Sequence, residues 1–286
     1  MALAFKKVLI FGGDGFTGVH LLQYLKDHDY QVLKSKCDIT DKESLVDELK
    51  SLKPDFIINL AAISFVAHGN SHDFYNINTL GVENILEVIL LSNIPLKKII
   101  LSSSATVYGD QDSFVLDETM CPNPKNHYGL SKYAMEQVAK NYFEKLDIVI
   151  TRPFNYTGRY QPENFLIPKI VKHFKEGKKV IELGNLDVQR EFNDISFVCE
   201  VYKRLLENDV KGEIVNIASN RGIKLLDVIS MMEKIAGYKI EVKVNPAFVR
   251  KNEIKKLTGS PKKLFSLVGE VRQCDFEETL KVMFEA

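Results

Sequence analysis

A doubly wound α/β fold around a parallel sheet, the Rossmann architecture, is what this chain predicts, and three features carry the prediction. Short β-rich apolar runs alternate with helix-period segments through the first half, and the links between them are brief. The run Phe56-Ile57-Ile58 is apolar on both faces, as a buried parallel strand requires. A glycine cluster follows the first run directly and opens a helix, the strand–turn–helix order of a right-handed crossover. With 286 residues the chain accommodates one large α/β unit or two domains at about 100–200 residues each. We expect a first domain over residues 1–158 and a smaller second lobe made mainly of 159–286, with residues 195–218 free to return to the first sheet.

The elements follow in order. Residues 8–11 form the first strand, and the helix after it carries Leu21, Leu22 and Leu25 on one face. Residues 31–33 are a brief second strand. Leu45, Val46, Leu49 and Leu52 keep helical spacing until Pro54 ends the run. Residues 56–60 are the third strand, 76–92 a long helix, 98–101 the fourth strand, 129–146 a helix and 148–151 the fifth strand. Beyond Pro153 the alternation loosens. Residues 156–163 read as a polar loop, and 165–175, 195–206 and 224–236 as helices. Residues 179–183, 213–218 and 239–244 read as strands.

Composition excludes several classes. Basic and acidic residues balance at 38 each, so no overall field draws in nucleic acid or an anionic membrane. No apolar run approaches the ~20 residues of a membrane span, and no cleavable leader is expected ahead of the first strand. Cys37, Cys121, Cys199 and Cys274 lie too far apart for a disulfide framework or a zinc cage, which favours a reducing, cytoplasmic setting. His68 and His72 stand four apart, but no third ligand is evident, so no metal is expected. His127 reads as a bystander, and the Lys255-Lys256 and Lys262-Lys263 pairs read as solvated faces.

Gly12, Gly15 and Gly18 have the G-x-x-G-x-x-G spacing of a dinucleotide turn. The first allows a tight turn, the second admits a pyrophosphate to the backbone, and the third lets helix and strand pack closely, so that the helix N-terminus faces the diphosphate. Where an acid normally binds the adenosine ribose, the end of the second strand carries Lys34, Ser35 and Lys36 instead. Two cations and a hydroxyl suit a 2′-phosphate, which favours NADP(H) and leaves NAD(H) possible. The alternative is a pair of solvated lysines.

Tyr128 and Lys132 stand one helical turn apart, and an ammonium there is expected to lower the phenol's pKa toward working pH. Ser102, Ser103 and Ser104 end the fourth strand at the carboxyl edge of the sheet, where ligands bind in such folds.

The glycine triplet, Asn59-Leu60-Ala61-Ala62, the segment Ser104 to Gly109, Tyr128-x-x-x-Lys132 and Arg152-Pro153-Phe154-Asn155 together resemble the extended short-chain dehydrogenase/reductase family, whose members act on nucleotide-diphosphate sugars. The resemblance spans nearly the whole chain. It implies Ser104, Tyr128 and Lys132 as catalytic residues, with Lys132 also on the nicotinamide ribose. It further implies cofactor contacts at Gly12, Gly15, Phe16, Thr17, Gly18, Lys34, Ser35, Asp38, Ile39, Leu60, Ala61, Ala62, Asn78, Ser102 and Pro153. Sugar 4,6-dehydratases of the family carry a carboxylate two positions after the catalytic hydroxyl; here that residue is Thr106, so dehydration is not expected. Residues 104–109 are similar to the matching segment of UDP-galactose 4-epimerases.

The second half resembles the GDP-sugar branch, in particular GDP-4-keto-6-deoxy-mannose reductases, through residues 154–161, 184–194 and 250–254. That likeness implies that Asn155 contacts the sugar–phosphate region, Arg190 and Arg250 the diphosphate, and Glu253 the nucleoside ribose, with Ser64, Ser104 and Thr106 near the sugar. Guanidinium forks and a carboxylate suit those groups chemically. Lys251 departs from the proline frequent in that branch. The expectation is NADP(H)-dependent reduction of a nucleotide-linked 4-keto-6-deoxy sugar by a homodimer. A redox-neutral 4-epimerase holding NAD is the alternative, and a non-catalytic sensor on the same fold a third reading.

Overall fold

The computed structural model describes residues 6–64, 70–249 and 255–286. The chain runs from β1 (Lys6–Phe11) through α1 (Phe16–Lys26), β2 (Tyr30–Lys34) and α2 (Lys42–Leu52) to β3 (Phe56–Asn59). Next come α3 (Ser71–Tyr75), a π-helical turn (Asn76–Leu80), α4 (Gly81–Leu91) and β4 (Lys98–Ser102). A 3₁₀ turn (Ala105–Tyr108) and β5 (Val115–Leu116) lead into α5 (His127–Lys140) and β6 (Ile148–Pro153). Six strands pair in the order β11-β6-β4-β3-β1-β2, where β11 is Glu213–Ile217, and every pairing is parallel. The chain moves outward from β1 to β2, then crosses back to β3 on the other side of β1. That reversal opens a crevice at the carboxyl ends of β1 and β3, the place where doubly wound sheets bind ligands.

Strand side chains alternate between two cores, as a pleated strand dictates. Val8 and Ile10 join Leu21 and Leu25 of α1 on one face, while Leu9 and Phe11 join Leu45, Leu49, Ile85 and Met135 on the other. Helix boundaries have local causes. The Asp41 carboxylate accepts from the Glu43 and Ser44 amides and starts α2, and Lys53 ends it in the left-handed region at φ 45°.

The second half holds β7 (Tyr156–Thr157), α6 (Leu166–Lys175), β8 (Val180–Leu183), β9 (Gln189–Glu191), β10 (Asn193–Asp194) and α7 (Ile195–Glu207). After β11 follow β12 (Gly222–Lys224), α8 (Leu225–Ala236), β13 (Glu241–Val244), β14 (Lys256–Gly259), α9 (Lys262–Val268) and α10 (Phe276–Glu285). The pair α7–β11 belongs to the first sheet: β11 extends it beside β6, and Phe197 and Tyr202 of α7 sit in the core with α1. Leu264 and Val268 of α9 join them. A separate core gathers Ile170 and Phe174 of α6, Val228 and Met232 of α8 and Leu280 of α10. The expected loop at 156–163 instead begins with β7, which pairs in parallel with β10. Among the described residues no helix is long and apolar enough to cross a membrane.

Candidate active site

The phosphate turn is built as glycine chemistry requires. Gly12 has φ +74°, and a Cβ there would lie 2.6 Å from the Ala61 amide nitrogen. A Cβ on Gly18 would meet the Gly12 carbonyl at 2.4 Å, so helix and strand pack without room for a side chain. Gly15 is different: beyond the Gly12 carbonyl at 3.3 Å its Cβ position faces open space. No side chain caps the first turn of α1, and no acid lies in it. The exposed amide end of an 11-residue helix and a bare glycine backbone therefore fit a dinucleotide diphosphate.

Beside this turn lies a cavity of about 510 Å³, walled by Gly12, Asp14, Lys34, Ser35, Ile39 and Ala61 among others. Asp38 is also on its wall, where its carboxylate accepts from the Thr40 amide and hydroxyl. Leu60 extends from β3 through its amide bond to the Phe11 carbonyl, and the Ala61 amide is held by Asn59. Phe16 stacks on Tyr156 at 6.0 Å between ring centroids, and the Thr17 hydroxyl pairs with the Tyr156 hydroxyl at 2.6 Å. Pro153 ends β6, buried, at the same sheet edge.

Asn78, expected as a cofactor contact, is bonded within the protein. It is fully buried, its side-chain oxygen accepts from the Ile63 amide, and its nitrogen donates to the Ile63 carbonyl and the Ser131 hydroxyl. These bonds tie the strand-three loop to α5. The Lys34 ammonium and the Ser35 hydroxyl also have partners in the protein, Asp14 and Glu48.

The reacting side chains converge where α5 meets the end of β4. Asn126 caps α5 by accepting from the Gly129 amide at 2.8 Å, which puts Tyr128 in the first turn. Gly129 lets that turn press on the 3₁₀ segment, since a Cβ there would come within 2.9 Å of the Thr106 carbonyl. Ser104 is the N-cap of that segment. Its Oγ accepts from the Thr106 amide at 3.2 Å and from the Thr106 hydroxyl at 2.9 Å. Both acceptor sites are then filled from Thr106, and the Ser104 proton is directed to the Tyr128 phenol.

The electrostatics differ from the sequence expectation. Burial pushes the Tyr128 phenol up to about 12, and the Ser104 hydroxyl only partly offsets it. Lys132 does not supply the lowering expected of it. Its Nζ donates to the Ser102 carbonyl at 2.7 Å, and burial brings its own pKa down to about 8 against the opposing charge of Glu136. One helical turn sets the spacing of two side chains, but the ammonium is held by the Ser102 carbonyl at the end of β4.

Sequence reasoning missed the support beneath these groups. Glu136, fully buried, accepts from the Arg152 Nε at 2.9 Å and Nη2 at 2.6 Å and from the Ser103 hydroxyl at 2.6 Å. Arg152 lies over the Tyr108 ring at 4.7 Å, and the Tyr108 hydroxyl donates to Asn216 at 2.7 Å. The signal was present: Glu136 continues the Tyr128–Lys132 stripe at the same four-residue spacing, and Arg152 is a charge inside an apolar strand.

Of the residues expected on the sugar nucleotide, Ser64 and Asn155 are exposed, and the Asn155 carbonyl accepts from the Asn193 amide. Arg190 lies on β9, with Nη1 donating to the Gln189 carbonyl at 2.8 Å. Next to it, buried Glu191 accepts from the Ser219, Asn220 and Gly259 amides, pinning β9 to β14 and the β11–β12 turn. Arg250, Glu253 and His68 lie outside the described residues. No group of three or more metal-ligating side chains occurs among the described residues.

The model of the NAD dependent epimerase/dehydratase family matches residues 8–218. The chain is 36% identical over 268 residues to a GDP-6-deoxy-D-talose 4-dehydrogenase of Aggregatibacter actinomycetemcomitans, covering 92% of this chain and 91% of that protein. It is 28% identical over 293 residues to a GDP-6-deoxy-D-mannose reductase of Pseudomonas aeruginosa, covering 97% and 96% of the two. The structure of RMD from Pseudomonas aeruginosa complexed with NADPH superposes with a TM-score of 0.91 at 26% identity, over 100% of this chain and 98% of that one.

Proposed function

This chain belongs to the NAD-dependent epimerase/dehydratase family, and on that premise we propose that it uses NADP(H) to reduce the 4-keto group of a GDP-linked 4-keto-6-deoxy sugar. Both relatives are named for redox on a GDP-linked 6-deoxy sugar, the first at C4. A nicotinamide cofactor with its diphosphate on the glycine turn would supply the hydride that C4 receives.

The observation that supports the reading is the convergence of Ser104, held by Thr106, and Tyr128 at the carboxyl edge of the sheet. A phenol held up to about 12 stays protonated at neutral pH, which is the state needed to give a proton to an alkoxide forming at O4. Ser104, its acceptor sites filled by Thr106, has its own proton to donate to the same oxygen. Lys132 remains largely ammonium at pH 7 with its pKa near 8 and stays on the Ser102 carbonyl, and the phenolate left behind regains a proton from solvent. Thr106 in place of a carboxylate is consistent with reduction rather than loss of water.

The test mixes the protein with NADPH and GDP-4-keto-6-deoxymannose and follows absorbance at the reduced nicotinamide band. One equivalent of NADPH is consumed per equivalent of sugar. Sugar interconversion without net NADPH loss would assign the epimerase reaction instead.

A further inference from the structure

The adenosine end of the cavity contains an internal competitor for the ligand it is expected to hold. Lys34 ends β2 on the cavity wall, and its Nζ meets the Asp14 carboxylate at 2.6 Å. Gly13 makes that reach possible. A Cβ at position 13 would lie 2.6 Å from Lys34 Cγ and 3.1 Å from Cδ, so the lysine stem runs flat across a bare stretch of the phosphate turn. Gly13 is not one of the three glycines of the nucleotide fingerprint, and this packing gives it a separate reason to lack a side chain. Next along, the Ser35 hydroxyl donates to Glu48 Oε2 at 2.5 Å and the Lys36 amide to Glu48 Oε1 at 2.9 Å. The Lys34 ammonium, the Ser35 hydroxyl and the Lys36 amide are thus each held by a carboxylate of the chain.

We propose that Asp14 is a specificity-determining residue, a carboxylate that occupies Lys34 in place of the cofactor's 2′-phosphate and so sets how strongly the site prefers NADP(H) over NAD(H). A 2′-phosphate exchanges one anion for another on Lys34 and meets Asp14 as a like charge. A 2′-hydroxyl leaves the Asp14–Lys34 pair intact and meets no penalty. Both side chains are solvent-exposed, so the pair is weak enough to be exchanged. Discrimination is thus lower than two lysines and a serine alone would give, because specificity is a difference between two bound states. The inference rests on the cofactor reading above and is independent of the sugar.

The experiment titrates adenosine 2′,5′-bisphosphate and 5′-AMP into the wild-type chain, Asp14→Asn and Lys34→Ala by calorimetry at fixed ionic strength. The two probes differ only in the 2′-phosphate. Asp14→Asn tightens the bisphosphate about 3–5-fold, the range of one exposed ion pair, and leaves 5′-AMP unchanged. Lys34→Ala weakens the bisphosphate about 10-fold or more, the loss of one charge-assisted phosphate contact, again without effect on 5′-AMP. Unchanged bisphosphate affinity in Asp14→Asn, or parallel changes for both probes, would overturn the proposal. A wild-type chain that binds neither probe would overturn the cofactor reading and the proposal together. Both residues are exposed, and unchanged melting temperatures verify that the variants remain folded.

Discussion

Lys132 is predicted to cost the fold stability that the site uses, and Lys132→Met exposes the trade. Its side chain is 2% exposed, and its pKa falls from 10.5 to about 8. At about 1.36 kcal/mol per unit, holding that ammonium inside costs about 3 kcal/mol relative to the unfolded chain at neutral pH. Methionine fills nearly the same volume without the charge, and against the gain stands the lost bond to the Ser102 carbonyl, worth about 1–1.5 kcal/mol. A net gain of about 2 kcal/mol remains, which for a chain of this size raises the melting temperature by about 4 °C. The sign has a pH window. Between pH 8 and 10.5 the unfolded lysine keeps a proton that the native one has released, so wild-type stability rises with pH there. The penalty is complete below pH 8, and the advantage of Lys132→Met shrinks as pH climbs through that window. Calorimetric melting of both proteins at pH 7 and pH 9.5, with NADPH oxidation measured beside it, is the assay. The expected variant is more stable and inactive. A variant that melts below wild type at pH 7, or whose advantage does not narrow by pH 9.5, would refute the claim that burial strains this lysine.

Tyr128→Phe removes the proton donor while keeping the ring, and kcat is expected to fall about 10²–10⁴-fold with little change in nucleotide affinity, read by single-turnover NADPH oxidation. Gly12→Ala forces a Cβ into the left-handed region at φ +74° and to within 2.6 Å of the Ala61 amide, so loss of about 1–3 kcal/mol and of NADPH binding is expected in urea titrations and fluorescence binding. Arg152→Met strands the buried Glu136 carboxylate and should cost about 3–5 kcal/mol, whereas Arg152→Met with Glu136→Leu should recover most of it, as urea midpoints would report. Tyr108 and Tyr128 hold their protons up to about 12, while unfolded tyrosine ionises near 10. The share of stability these two phenols contribute is therefore full below pH 10 and is lost from pH 10 toward 12, which alkaline melting curves of Tyr108→Phe against wild type would follow.

Strands β1 to β4 and β6 of the main sheet and the phosphate turn were legible because each is a local pattern: a strand buried on both faces, a glycine spacing, a helix with apolar residues three and four apart. The two cores follow from the same alternation, Val8 and Ile10 against Leu9 and Phe11. The second half was harder for a physical reason. Tyr156–Thr157, Asn193–Asp194 and Gly222–Lys224 are strands of two or three residues, too short for a period, and their partners lie tens of residues away. At the site, the spacing of Tyr128 and Lys132 was readable, but the direction of the lysine was not. It depends on the Ser102 carbonyl, thirty positions back in the chain, which is open only because β4 ends there. Asp14 was hidden in the same way: twenty residues separate it from Lys34, and only the bare backbone of Gly13 joins them.

The central claim is that hydride arrives at C4 of the keto sugar while Tyr128 protonates the oxygen. Incubating the protein with nicotinamide-deuterated NADPH and GDP-4-keto-6-deoxymannose in ordinary water, then locating the label in the product by NMR, tests it most directly. One deuterium at C4 in a single configuration, with a protium hydroxyl, is the predicted result. A product without deuterium at C4, or with the label on another carbon, would contradict it.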